Sequence, residues 1–528
     1  MFVKYDLYNF SLEVFMFRMR KYLAMFLCLS LLLVSLGSFN AFALDNPCDC
    51  GKTPTIFVNG MNSIPLEKQP GTTEAQLVFP PTDEMILNTI QNAVLPVLGK
   101  LFTQGLDGAM DAVADAVNEL FDGLACKDNG DLPDGQGVNW SYPDVGRPHG
   151  YHFDFYYDWR QDPLVSAAQL ADYVEYIKSE TGHDKVSLIG FSMGGVVLNA
   201  YLHSLAGDYS GLQTVIMEVA AMNGASIASE SFAGKIKVDS TALVRLFDDQ
   251  LCLRNTIENI LGVALRALDQ TGMFDIPFSL ANKLIEKYAD KIYDQVFSKS
   301  FGTMPGVWGA VSDDYYEEAK EKLIIDKDKH ADLIKRIDDY HYNMFLKNDE
   351  LARALYEDPN VNFAVVLKYN RQLAPLIYGL NASSDGTVDA VKASYGATVA
   401  DLDKTLGKSY VQANVLDGRN YLSADNKVDA STGTVPQATW FIRDLEHSTF
   451  CPYRNDLIDY LLNSPTQVTV FDNPNFPQFA YYDANLDDAF PITAESEYDP
   501  FEFLYDLGYG EAWFKLFART AVLIANLT

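Results

Sequence analysis

The chain runs to 528 residues and carries 40 basic against 71 acidic side chains, a formal net charge of −31. A surface this acidic repels nucleic acid and anionic head groups at a distance, so no nucleic-acid partner is expected, and any lipid would be met through apolar contact or neutral and zwitterionic head groups. The length suits one large domain with insertions, or two domains.

Residues 1–43 read as a signal peptide rather than as fold. Arg18, Arg20 and Lys21 form a basic stretch, Tyr22 to Leu36 is apolar, and Ala41-Phe42-Ala43 supplies a cleavage site. The residues before Met16 look like an over-extended start, and the mature chain is expected to begin at Leu44 and to be secreted, periplasmic or extracellular. An uncleaved anchor is the alternative, but the apolar run is short for a membrane span. Of six cysteines, Cys28 leaves with the signal, and Cys48, Cys50, Cys126, Cys252 and Cys451 remain. In an exported chain that odd set predicts one or two disulfides and a leftover thiol. Cys48-Asp49-Cys50 lacks the second pair a zinc ribbon needs, so no metal site is read.

Thr55 to Val58 is an apolar run that stops at Asn59-Gly60-Met61-Asn62. A buried strand ending this way can aim backbone N–H groups at a developing alkoxide, which makes Met61 and Asn62 oxyanion-hole candidates. Residues 67–150 have the look of an insertion. Within it, 84–126 shows helical periodicity, a pair of helices that would either cap a site or pack on the core. An aromatic strand follows over Tyr151 to Tyr157, then Asp158-Trp159-Arg160, then an amphipathic helix over 166–181.

The organising stretch is KVSLIGFSMGG, residues 185–195. Val186 to Ile189 reads as a buried strand, and Gly195 onward has helical character. Between them Gly190-Phe191-Ser192-Met193-Gly194 forms a GxSxG turn of the kind that holds a nucleophilic serine in a strained bend with its Oγ exposed. Ser192 is the nucleophile candidate, Gly190 and Gly194 the elbow glycines that let strand and helix pack closely, and Met193 a second source of oxyanion N–H.

TPTIFVNG, YYDWR and TGHDKVSLIGFSMGG together closely resemble the lecithin:cholesterol acyltransferase-like lipases, over residues 53–62 and 150–225, with further likeness near 300–315, 375–390 and 440–450. The resemblance implies an α/β-hydrolase fold: a doubly wound, mostly parallel sheet with a helical cap inserted over 226–360. It implies a serine acyl-hydrolase or acyltransferase, and an architectural role for Arg160 as a buried charge partner.

Leu212 to Ala221 is the next strand, and the small-residue turn from Asn223 would release the chain into the cap. Helices are expected there over Leu251 to Leu268, Leu280 to Phe297 and Asp313 to Leu323. Val361 to Leu367 and Leu373 to Leu380 read as two apolar strands. The second runs into Asp385-Gly386-Thr387-Val388, which matches the resembling family's pattern for the triad acid. Asp385 is thus the acid candidate, with Asp389 its main local rival and Asp425 and Asp429 weaker ones. In the chain order nucleophile, acid, base, of seven histidines only His447 lies beyond Asp385. It follows a strand over Thr439 to Ile442 and precedes a helix over Asn455 to Leu462, where a catalytic base belongs.

Residues 408–435 look like an excursion. The catalytic unit is expected over 44–464, and 465–528 as a C-terminal extension whose apolar stretch 511–527 is either a docked terminal helix or an interfacial one. The expected activity is carboxylic-ester hydrolysis of lipid acyl esters through Ser192, Asp385 and His447, with no cofactor, a lipid or other acyl ester as substrate, and transient contact with a lipid surface. Two alternatives stand beside it: an acyltransferase passing the acyl group to an alcohol, and a non-catalytic lipid-binding protein on the same scaffold.

Overall fold

The computed structural model describes residues 52–493 apart from 122, 146–150, 252–268, 270–271, 273, 374–376, 403 and 485. The expected signal peptide, Cys48, Cys50, Cys252, the helix over 252–268 and the stretch 511–527 lie outside the described residues.

Eight strands form the central sheet: β1 Thr55–Val58, β2 His152–Phe155, β3 Val186–Phe191, β4 Leu212–Glu218, β5 Asn362–Tyr369, β6 Thr439–Arg443, β7 Phe479–Asp483 and β8 Asp488–Pro491. Their order is β8-β7-β6-β5-β4-β3-β1-β2, and all neighbours are parallel except the β7–β8 pair. This is an α/β architecture around a mostly parallel sheet. Parallel strands buried on both faces need continuous apolar runs, and β3 and β5 are buried at every position. The chain runs from β1 to β2 on one side, then crosses back to β3 on the other. The order therefore reverses between β1 and β3, and the crevice beyond the carboxyl ends of those strands is where such sheets bind ligands.

The helices between the strands follow from their capping and periodicity. In α2, Pro163–Thr181, the Asp162 side chain accepts from the Leu164 N–H at 2.9 Å, and Gly182 ends the helix at φ 71°. Helix α3, Gly194–Ser204, is buried from Gly194 through Leu202. The buried Asp158–Arg160 pair locks the loop before α2: the guanidinium meets Asp158 at 2.8 Å and donates to the Gly123 and Leu124 carbonyls.

The expected insertion 67–150 contains a small antiparallel sheet (Leu66–Lys68, Gln76–Phe79, Gln136–Val138) and helix α1, Asp83–Leu120. Gly105 breaks α1 at φ 72°, ψ −161°. Lys100 and Asp115 would lie about 22 Å apart along a straight helix, yet their side chains meet at 3.2 Å. The two arms therefore lie side by side.

Between β4 and β5 the described chain is largely helical: α4 Ser226–Phe232, α5 Ser240–Leu251, α6 Asp275–Ile292, α7 Asp313–Leu323, α8 Ala331–Asn343 and α9 Asn348–Glu357. Its second half joins the main core through Trp308, Tyr316, Ile337 and Leu355. Tyr340 of α8 donates to the Val196 carbonyl and accepts from Asn199, both on α3. These helices thus complete a layer on the sheet.

Two expectations fail. The expected strand over Leu373 to Leu380 is not found among its described residues: Arg371–Gln372 pairs instead with Ser383–Ser384, while Leu373, Ile377 and Leu380 form a small separate core with Ala242 of α5. Gly379 weakens a strand there, which accounts for the irregular backbone at 377–380. The boundary after 464 also fails, because β7 and β8, from 479–491, extend the central sheet beyond β6. Of the five cysteines among which one or two disulfides are expected, the two that are described, Cys126 and Cys451, are both free and buried.

Candidate active site

The Ser192 turn, the 60–62 loop and the His447 loop follow the carboxyl ends of the parallel strands β3, β1 and β6, while Asp385 directly follows the short antiparallel strand Ser383–Ser384. Ser192 follows β3 directly and takes φ 54°, a left-handed conformation that a non-glycine residue holds only under tertiary constraint. That constraint is visible. Its N–H donates to the Glu218 carbonyl at 3.1 Å, and its own carbonyl accepts from Gly195 at 3.1 Å and Ala221 at 3.2 Å. Met193, 7% exposed, leads into α3 at φ −63°, ψ −20°. Its N–H lies at the helix end where backbone donors have no intrahelical partner.

The elbow glycines are enforced by contact. A Cβ at Gly190 would come within 2.9 Å of Leu198 Cδ2 and 3.1 Å of Gly195 Cα, which is the strand-on-helix crowding the motif implies. At Gly194 the obstacle is different: a Cβ would fall 2.0 Å from the Val58 carbonyl oxygen at the end of β1. The loop after β1 is equally close. A Cβ at Gly60 would lie 2.9 Å from Ser192 Cβ. Met61 and Asn62 come next in that loop, with Asn62 at φ 60°, and Asn59 is tied to Asp154 at 3.2 Å.

Asp385 and His447 meet directly. His447 Nδ1 is 2.7 Å from Asp385 Oδ2, and the His447 N–H donates to the Asp385 carbonyl at 2.9 Å. The other carboxylate oxygen accepts N–H groups from Thr387 at 2.8 Å and Val388 at 2.7 Å. Both side chains are buried, Asp385 at 1% exposure. The imidazole packs against the Phe191 ring, centroids 5.2 Å apart, one residue before Ser192. The fold thus gathers the serine turn, the oxyanion-candidate loop and the Asp–His pair, drawn from four strand ends.

The rival carboxylates are engaged elsewhere. Asp389 accepts the Ser226 N–H at 2.7 Å at the start of α4, and burial raises its carboxyl above the ordinary range. Asp425 pairs with Arg443 at 2.6 Å, and Asp429 accepts from the Tyr410 hydroxyl at 2.9 Å and the Ala413 N–H at 2.7 Å. Among the described residues, no cluster of three or more His, Cys, Asp or Glu side chains is arranged to hold a metal ion.

Sequence reasoning missed three charged residues around this site: Glu218 on β4, Lys368 on β5 and Arg454 on α10, Pro452–Asn463. Each is 8% exposed or less. The one available signal is Lys368 itself, a charge that closes the apolar run from Val361 to Leu367. In comparison with known proteins, the chain matches no protein-family model and no curated protein, so the reading below rests on its own residues and geometry.

Proposed function

We propose that the chain is a serine acyl-ester hydrolase with an α/β-hydrolase fold, acting on lipid acyl esters. One observation carries this reading: the buried His447–Asp385 contact at 2.7 Å stands beside the strained Ser192 turn, at the carboxyl ends of parallel strands. With Nδ1 held by Asp385, His447 presents Nε2 to take the proton of Ser192 as the hydroxyl attacks an ester carbonyl. Asp385 fixes the tautomer and offsets the imidazolium charge. N–H groups from the 60–62 loop and Met193 stabilise the oxyanion, and the acyl-enzyme passes its acyl group to water. Transfer to an alcohol would use the same intermediate.

The lipid part of the proposal is supported by α1. Residues 85–99 of its first arm hold no charged side chain in an otherwise strongly acidic protein. Leu95 is 78% and Phe102 85% exposed, with Leu87 and Leu98 also outside the core. The second arm is fastened to α6 by the Tyr288 hydroxyl donating to Asp107 at 2.6 Å. A neutral apolar arm on an anionic body suits zwitterionic or uncharged lipid surfaces. The leader over residues 1–43 would bring the enzyme to such surfaces outside the cytoplasm.

The deciding experiment compares wild type with Ser192→Ala on p-nitrophenyl esters of short and long acyl chain, alongside labelling by a fluorophosphonate probe. Turnover and labelling in wild type, both lost in Ser192→Ala, are expected. Folded wild-type protein that neither turns over nor labels would leave a binding protein on this scaffold. Added free alcohol then reports transfer as ester product.

A further inference from the structure

Lys368 stands in β5, a strand buried at every position, and is itself 1% exposed. A buried lysine is costly unless its charge and all its donors are met. Here they are met by one loop. Nζ donates to the carbonyls of Glu446 at 3.1 Å, His447 at 2.6 Å and Thr449 at 2.7 Å. Three carbonyl acceptors match the three protons of an ammonium, and a neutral amine would leave one unmet. The Glu446 carboxylate braces the same loop, accepting from the Ser448 N–H and the Thr449 hydroxyl, both at 3.0 Å. Lys368 also lies over the Phe450 ring at 5.2 Å, and Arg454 lies over that ring at 4.4 Å. Arg454 in turn pairs with buried Glu218, whose backbone carbonyl holds the Ser192 N–H.

We propose that Lys368 is a positioning residue for the site, fastening the loop that carries His447 and balancing the buried charge around it. The inference rests on His447 acting as the base of the reaction proposed above. The charged groups facing the imidazole region are Asp385 from the turn after Ser383–Ser384, Glu446 from its own loop, Lys368 from β5, Glu218 from β4 and Arg454 from α10. Lys368 and Arg454 balance Glu218 and Asp385 when the imidazole is neutral. Glu446 is half-buried and turned onto its own loop. Burial pulls the Lys368 ammonium below the ordinary lysine range, and the Glu218 carboxylate opposes that pull. Removing the lysine leaves one negative charge in excess, which protonation of the imidazole would cancel. The base would then be lost at a higher pH than in wild type.

The test uses full-length protein with Lys368→Met and Lys368→Arg, each checked for folding by thermal melting. In Lys368→Met, kcat is expected to fall about 10- to 100-fold with KM little changed. The acid limb of the kcat/KM profile should move up by roughly one pH unit. Lys368→Arg keeps the charge, so its acid limb stays at the wild-type position and its kcat lies between the two. A folded Lys368→Met with wild-type kcat and profile would overturn the proposal, as would an Arg variant whose limb moves as far as that of Met. Should Lys368→Met not fold, the Arg variant decides alone by its limb. Amide hydrogen exchange of the 445–450 segment separates this from the function reading. If wild type neither labels nor turns over, the reading of His447 as base falls. The clamp is then judged by whether the folded Met variant exchanges faster there than wild type, and unchanged protection refutes it.

Discussion

Asp385 and Asp389 lie four residues apart in one turn, and both are buried, so chemistry alone does not choose between them. What separates them is direction: Asp385 faces the imidazole and Asp389 caps the start of α4. Asp385→Asn should therefore cost roughly 10⁴-fold in kcat, the loss expected when the base is left in the wrong tautomer. Asp389→Asn keeps an oxygen for the Ser226 N–H and is expected to stay within a few-fold of wild-type turnover. Steady-state kinetics on one soluble ester reads both, and the reverse ranking would hand the acid role to Asp389. The contrast shows what can be read before folding. Ser192 and its glycines are legible because the elbow is local, six residues of strand and a turn. The acid is legible only to its turn, because the deciding contact spans 62 residues to His447. The roles of Lys368, Glu218 and Arg454 are not legible locally, since the carbonyls that hold Lys368 lie 78 to 81 residues away and Arg454 lies 236 residues from Glu218.

At the scale of elements, apolar runs bounded by turn residues mark β1, β3 and α2 well. The same rule fails at 377–380, where Gly379 lies in an apolar run whose Ile377 and Leu380 pack in a separate small core instead of a strand. It also passes over β7 and β8, whose mixed Tyr, Asp and Ala sequence suits a sheet edge better than its centre. The periodicity of 84–126 announces helices but not which faces are covered. Its first arm leaves Leu95 and Phe102 in solvent, each able to contribute about 1.5–3 kcal/mol if buried in an apolar phase. Leu95→Asp with Phe102→Asp should lower partition onto zwitterionic phosphatidylcholine vesicles at least tenfold, measured by sedimentation. Turnover of a soluble short-chain ester should be unchanged. Equal vesicle binding by the double variant would remove α1 from the lipid-contact reading.

On the scale of the whole molecule, the sheet is larger than the unit expected from sequence. β6 lies between β5 and β7, pairing Phe441 with Phe479 and Arg443 with Tyr481. A chain ending at 464 would leave β6 with an open row of N–H and C=O groups, a template for self-association. Such a chain is expected to aggregate and to lose the cooperative melting transition of the full protein, as seen by light scattering during a thermal ramp. A monomeric, cooperatively melting 1–464 fragment would restore the shorter boundary.

The parallel order of the strands has a consequence in time as well as in space. Parallel neighbours cannot close by a hairpin, and the Ser192 turn comes beside His447 only after the 254 residues between them have folded around the sheet. The nascent or extended chain therefore carries Ser192, Asp385 and His447 without the arrangement that brings them together. The gathering of these side chains is thus a late event of folding, and under the proposed function a chain that has not yet folded would be inert toward acyl esters.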